Sequence, residues 1–210
     1  DMLTTSFADT CLGQLGGFLG LIKTITNWRA GTITEATYTG YGTRPAIAYG
    51  AAADTSPVGG RQKANSGVVT FPQNTGSGED EIGWGIWSAA TAGTLQAIGL
   101  LDSDPPILGT GLVNDNIEAF AHGLQTDQRV FVLAAPGAPI PTGLSENTAY
   151  FVLAAGLTAD VFVLSTTSGG AAANITVGGA ALFCPYKAVT IAANATPEFG
   201  IGAIIVQIGT

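Results

Sequence analysis

The stretch from Ile117 to Leu133, IEAFAHGLQTDQRVFVL, carries the only histidine of the chain. An imidazole followed by Thr126, Asp127 and Arg129 has the ingredients of general acid–base work: a group that titrates near neutrality, a hydroxyl and a carboxylate. Such work needs a nucleophile within hydrogen-bond reach of the imidazole and a third group to orient it. No serine stands in the Gly-x-Ser-x-Gly context of a nucleophile elbow. The neighbouring acids Asp115, Glu118, Asp127, Glu146 and Asp160 are spread over separate turns, as solvated side chains usually are. His122-Gly123-Leu124 followed by Thr126-Asp127 reads instead as a bend between two strands. Gly123 supplies a positive φ, and the Thr and Asp side chains bond nearby amides. His122 is expected to shape a turn, and no catalytic residue is assigned.

The other chemistry-bearing groups lead to the same place. Glu79, Asp80 and Glu81 cluster in GEDEIGWG, but the alternating ligands and closing carboxylate of a calcium loop are missing, so a solvated loop tip is expected. Cys11 and Cys184 lie far apart, and with His122 they fall short of the roughly four ligands of a structural zinc site. They are expected to be two buried thiols, with a disulfide between them unsupported by the pattern. No metal and no cofactor is expected. GTGLVNDN and SPVGGR are glycine-rich yet lack the lysine and following helix of a phosphate loop. Trp84 and Trp87 could stack on a sugar, but three residues of separation puts them on opposite faces of a strand. Asn174 and Asn194 head NIT and NAT, matches to the glycosylation sequon that threonine-rich sequences produce by chance.

Composition bounds the elements that must hold these residues. The 210-residue chain is 46% hydrophobic and only 10% charged, with thirty glycines. It is too apolar for a disordered chain, and no run approaches the roughly 20 apolar residues of a spanning helix. A formal net charge of −8 with seven Lys plus Arg gives no long-range attraction to nucleic acid. A surface this poor in charge is expected to be covered by partner surfaces. The opening DMLTTSFADTCLGQLGG lacks the basic and apolar regions of a signal peptide, so nothing points to secretion.

One short helix is expected near the N-terminus, where Phe7, Cys11, Leu12 and Leu15 recur at three and four residues. Thr5 or Ser6 would cap it and Gly16-Gly17 would end it. Beyond it the grammar is strand and turn: TYTGYGTRPAIAYG, SGVVTFPQ, IGWGIWSAATAGTLQAIGLLD and KAVTIAANATPEFGIGAIIVQIGT. Short β-branched runs broken by Gly, Asn and Pro predict a mainly β sandwich or barrel. Between Asp102 and Lys187 the texture shifts to NIEAFAHGL, QRVFVLAA, TAYFVLAAG, DVFVLSTTSGG and NITVGG, opened by a Pro pair and closed by ALFCPYK. The division predicted is a discontinuous host domain, 1–106 plus 187–210, with an all-β domain, 107–186, inserted at a surface turn.

The order of the host segments resembles a family of small tailed-phage virion proteins, described as tail-fibre-like, minor structural or capsid decoration proteins. The shared pattern is a Glu-containing turn, a Tyr/Arg strand, an Asn-led strand ending in Phe-Pro, a glycine- and aromatic-rich hairpin, and a closing Phe-x-x-Gly strand. Glu35, Tyr41, Arg44, Asn65, Phe71, Pro72, Trp84, Trp87, Ala89, Ala90, Thr91, Gly93, Phe199 and Gly202 occupy those places. The insert resembles a β module of phage tail and adhesion-like proteins through His122, Gly123, Leu124, Thr126, Asp127 and Val130. Pro141, Gly143, Leu144, Thr148, Tyr150, Val152, Phe162, Leu164, Thr166 and Thr167 extend that match.

The resemblance implies a structural protein of a tailed-phage particle, made in the host cytoplasm and carried on the particle surface. Its first expectation is a capsid decoration or cement protein, a homotrimer that binds the major capsid protein lattice and stabilises the head. The alternative is a tail-tip or fibre component that binds a host-surface receptor or glycan, with Trp84, Trp87, Tyr150 and Phe151 as candidate contact aromatics. Neither needs an enzyme, a nucleic acid or a membrane. The contact surface on the chain is not assigned.

Overall fold

The computed structural model describes residues 5–27, 30–55 and 60–208, with side chains from Ala8 onward. The cap expected at Thr5 or Ser6, the Phe7 contact and most of SPVGGR lie outside the described residues. The chain forms two compact units. One comprises the chain up to Thr24, Thr34–Gly99 and the residues from Thr190 onward; the other comprises Ile25–Ile33 and Leu100–Val189.

In the first unit, helix α1 (Thr5–Gly13) buries Ala8 and Leu12. Arg61 pins it through paired bonds to the Asp9 carboxylate at 2.8 and 3.1 Å. The helix stops three residues before the expected Gly16-Gly17. Gly16 instead allows a close packing contact: a Cβ there would sit 2.0 Å from the Trp87 carbonyl oxygen, so only glycine permits that approach. Strands β1 (Phe18–Asn27) and β2 (Thr32–Glu35) follow, then β3 (Ala53–Asp54), β4 (Arg61–Ala64), β5 (Val69–Thr70), β6 (Glu79–Glu81), β7 (Gly83–Trp87) and β8 (Leu95–Leu100). One sheet runs β2-β1-β7-β8, with Leu19 opposite Ile86 and Leu21 opposite Trp84. Directly paired residues share a face, so Leu19, Leu21 and Ile86 drive the core together with Tyr38, Ile47, Val69, Phe71 and Ile204. TYTGYGTRPAIAYG, read as strand-rich, is mostly irregular and joins the sheets only through bridges at Ala46 and Tyr49. Its order comes from hydrogen bonds of its own side chains to distant partners.

The second unit carries β9 (Ile107–Gly111), β10 (Ile117–Glu118), β11 (Arg129–Ala134), β12 (Ala149–Val152), β13 (Val161–Phe162), β14 (Leu164–Ser165) and β15 (Gly179–Tyr186). Its seven-stranded sheet runs β13-β10-β9-β15-β11-β12-β14. The two end strands are consecutive pieces of one segment, Val161–Ser165. Phe162 pairs with Ile117 on one side, and Leu164 pairs with Val152 on the other. The sheet thus curls into a nearly closed barrel whose interior holds Ile117, Val130, Val132, Val152, Phe162, Leu164 and Phe183. Burying one such side chain contributes about 1.5–3 kcal/mol. Pro185 lies in β15 beyond the end of β9, where its missing N–H breaks no bond on that side, and its carbonyl accepts from the Asp104 amide at 3.2 Å.

The chain then returns through β16 (Val189–Ile191), β17 (Glu198–Phe199) and β18 (Ile205–Ile208), which pair with β6, β5 and β4 of the first unit. The fold is mainly β with one short N-terminal helix, as composition and periodicity predicted.

Candidate functional site

In the first unit Glu35, Tyr41, Arg44 and Trp87 converge on one cluster. Arg44, buried at 9% exposure, donates from Nε to Glu35 Oε1 at 2.8 Å and from Nη2 to Oε2 at 2.6 Å. Its Nη1 donates to the carbonyls of Ala89 and Ala92 at 2.9 and 2.5 Å. The guanidinium lies 4.2 Å from the centroid of the Trp87 ring. Tyr41 donates its hydroxyl to Glu35 Oε1 at 3.0 Å and accepts from the Leu21 amide at 3.2 Å. Burial first, and the Glu35 charge second, hold that phenol well above its ordinary range. Arg44 is therefore a clasp on the β7–β8 turn, where Ala92 and Gly93 both adopt positive φ. With its fork committed to Glu35 and the turn carbonyls, it offers little to a bound anion. Tyr41 and Arg44 stand on a loop rather than on the expected strand.

Two buried asparagines do comparable work. Asn65 donates from Nδ2 to the carbonyls of Gly67 and Gly200, both at 2.8 Å, and its Oδ1 accepts from the Ile204 amide at 2.9 Å. It ties the returning C-terminal segment to β4. Asn74, fully buried, donates from Nδ2 to the carbonyls of Ser77, Ile191 and Ala192 and accepts the Gly76 amide on Oδ1. Asn74 escaped sequence reasoning because FPQNTGSG has the composition of an exposed loop.

His122 shapes a turn. Its Nδ1 accepts the Leu124 amide at 3.0 Å, and its ring meets Phe162 edge-on with centroids 5.0 Å apart. Gly123 takes φ +68° and Ala121 φ +49°. His122 also borders a cavity of about 420 Å³ with Asp104, Pro105, Pro106, Gln128 and Pro185. The acids expected to be solvated are more engaged than that. Asp160 accepts the Ala121 amide at 2.8 Å, Asp115 the Ile175 amide at 2.7 Å and Asp127 the Ser168 hydroxyl at 2.7 Å. Each links segments at least 39 residues apart, so these carboxylates staple loops as well as face water. Glu118 is exposed. GTGLVNDN forms the β9–β10 connection, where Asn114 accepts the Asn116 amide.

Glu79, Asp80 and Glu81 overturn the expected loop tip: they form β6. Alternation points Asp80 outward to the Thr190 hydroxyl at 2.5 Å and turns Glu79 and Glu81 inward. Glu79 accepts from Lys23 Nζ at 2.6 Å and from the Thr37 amide and hydroxyl at 2.5 and 2.7 Å. Burial alone would raise its pKa, but these donors outweigh burial and hold it at about 2. Glu81 is 0% exposed, and among the described residues no N–H or O–H donates to either of its oxygens. Burial, reinforced by Glu79, pushes it up to about 8.

The four contact aromatics divide. Trp87 and Tyr150 are buried, Tyr150 accepting the Ser145 amide at 2.9 Å. Trp84 is half-buried beside a groove of about 550 Å³ with Leu15, Gln96, Ile98 and Val206. Phe151 is half-buried under the Arg129 guanidinium, 5.5 Å from its centroid. The two tryptophans take opposite faces of β7. Trp87 covers Gly20 and Gly85, whereas Trp84 packs with the core side. Cys11 and Cys184 are free and half-buried, and burial raises the Cys184 thiol. Asn174 and Asn194 are exposed. Among the described residues, no group of three or more His, Cys, Asp or Glu side chains is placed to hold a metal ion.

What the described surface does offer is apolar. Phe120 is 89% exposed at the turn that His122 and Asp160 fasten, and Val113, Leu108 and Ile201 are each more than half exposed.

No curated protein and no solved structure matches the chain. The model of the family described as "Podophage GP4 fiber I protein gp80" matches residues 17–122. That span includes the Glu35–Tyr41–Arg44–Trp87 clasp, the buried Asn65 and Asn74, and the β9–β10 hairpin, and it makes up half of the sequence. The chain belongs to the podophage GP4 fiber I protein gp80 family, a family of tailed-phage virion structural proteins.

Proposed function

We propose that this protein is a building block of the fibre apparatus of a tailed phage and works by contact with neighbouring virion subunits rather than by catalysis. Membership of a fibre-protein family is the observation that carries this reading. The chemistry of the side chains supports it. Arg44, His122, Asp115, Asp127 and Asp160 are spent on holding turns, which leaves shape and apolar surface as the chain's means of recognition. A charge-poor surface bearing Phe120, Val113 and Leu108 suits association with copies of itself, as a homotrimer, and with other particle proteins. Of the aromatics weighed for host-receptor or glycan contact, Trp84 and Phe151 keep accessible ring area and are the ones assigned that role.

Capsid decoration is the second reading, favoured by the likeness of the host segments to decoration proteins. There the chain would bind the major capsid protein and stabilise the head. Quantitative mass spectrometry of purified particles separates the two. A few copies per particle, lost with the tail on head–tail separation, is the expected result. Icosahedral stoichiometry retained on isolated heads would overturn the fibre assignment in favour of cement.

A further inference from the structure

The Glu79–Glu81 pair sets two neighbouring carboxyl groups against each other, one held far below the ordinary range and one pushed above it. Two carboxyl groups share the inward face of β6, and one ammonium, that of Lys23, serves them. Glu79 takes it. The groups around Glu81 are Glu79 and Asp80 on its own strand, Lys23 on β1 and the Tyr38 phenol beyond β2. From β16, Thr190 brings a hydroxyl that is bound to Asp80. Glu81 is wholly buried with neither carboxyl oxygen hydrogen-bonded among the described residues, and the side chain that acts on it most strongly is another carboxyl group, Glu79. A hydrogen bond between two carboxyl groups exists only while one of them carries a proton. Glu79 is held ionised by three donors, so the proton belongs on Glu81.

We propose that Glu81 is a one-proton latch that fastens β6 into the first unit most firmly in acidic media and loosens it progressively as the medium turns alkaline. The protonated carboxyl donates to Glu79. Losing that proton leaves two carboxylates side by side on a buried face with one cation between them, and repulsion acts on a strand of three residues. The adjoining bond from the Ile82 amide to the Ile22 carbonyl, 2.8 Å, would open with it.

The direction with pH follows from linkage. Glu81 has a folded pKa of about 8 against 4.5 when unfolded, so the folded state holds the extra proton between those values. Stability from this group is complete below 4.5 and declines as pH rises through the window, with up to about tenfold in the unfolding constant per pH unit, then levels above 8. Glu79 runs the other way: its depressed pKa adds stability above 4.5 that is lost as pH falls toward 2.

The test uses the full chain and its Glu81→Gln variant, which keeps the shape and can still donate to Glu79. Urea unfolding between pH 5 and 9 should show the wild-type midpoint falling up to pH 8 while the variant stays flat. Parallel profiles would overturn the latch. A carboxyl carbon titration of wild-type Glu81 by NMR, independent of the variant's folding, should give a midpoint near 8; a midpoint near 4.5 would also overturn it. Calcium added at pH 9 should leave both proteins unchanged, whereas stabilisation of the wild type alone would replace the proton by a bound cation. Amide exchange at Ile82 should accelerate between pH 5 and 8 beyond its intrinsic rise in the wild type alone, and gain nothing further above pH 8.

Discussion

Replacing Arg44 by alanine would leave Glu35 half-buried without its partner, free the carbonyls of Ala89 and Ala92, and remove the cation above Trp87. Breaking a buried pair of this kind costs about 3–5 kcal/mol; the partial exposure of Glu35 points to the lower end. Urea unfolding followed by tryptophan emission should report that loss. Arg44→Lys should recover less than half of it, because an ammonium cannot span both carboxylate oxygens and the turn carbonyls together. His122 obeys the same logic on a smaller scale. His122→Ala strands the Leu124 amide and opens space beside Phe162, a loss of about 1–3 kcal/mol. His122→Asn, which can return an acceptor to that amide, should recover part of it. Thermal melts of the two variants check the order.

At the scale of elements, close approaches of backbone to backbone set the limits. Gly143 adopts φ +109°, and a Cβ there would lie 1.9 Å from the Asn174 carbonyl oxygen. Gly143→Ala should therefore lower the melting temperature of the second unit through about 3 kcal/mol of strain, more than Gly123→Ala, whose Cβ would meet nothing within 4 Å. Which elements were legible follows from where their causes lie. The β7–β8 hairpin and the His122 turn were readable because alternation and turn chemistry are local. The irregular path of TYTGYGTRPAIAYG was not, because Tyr38, Tyr41 and Arg44 are ordered by partners on Pro72, Glu35 and the far hairpin. The early end of α1 reflects the packing of Gly16 against Trp87, a tertiary fact. The acidic run of β6 reads as loop because its composition is polar, while its burial is dictated by Ile82 bonding to Ile22 next door. The grouping of residues 25–33 with the second unit leaves no mark in the sequence pattern.

For the whole molecule, apolar area and scarce charge determine how copies should associate. Contacts of the proposed homotrimer, if built on exposed residues such as Phe120 and Val113, would gain little from Coulomb attraction, so light scattering should find that trimer intact at about 1 M salt, where charges are screened beyond about 3 Å. Phe120→Asp should shift it toward monomer while leaving the circular dichroism spectrum unchanged. The barrel of the second unit has one more consequence. Val161–Ser165 bonds to β10 along one end and to β12 along the other, so the two ends of the sheet are two pieces of the same segment. An open ladder repeated across a virus would be a template on which neighbouring molecules could zip into amyloid. A ladder that bites its own tail gives that growth nowhere to start, so neighbours that touch the second unit meet its side chains rather than its backbone.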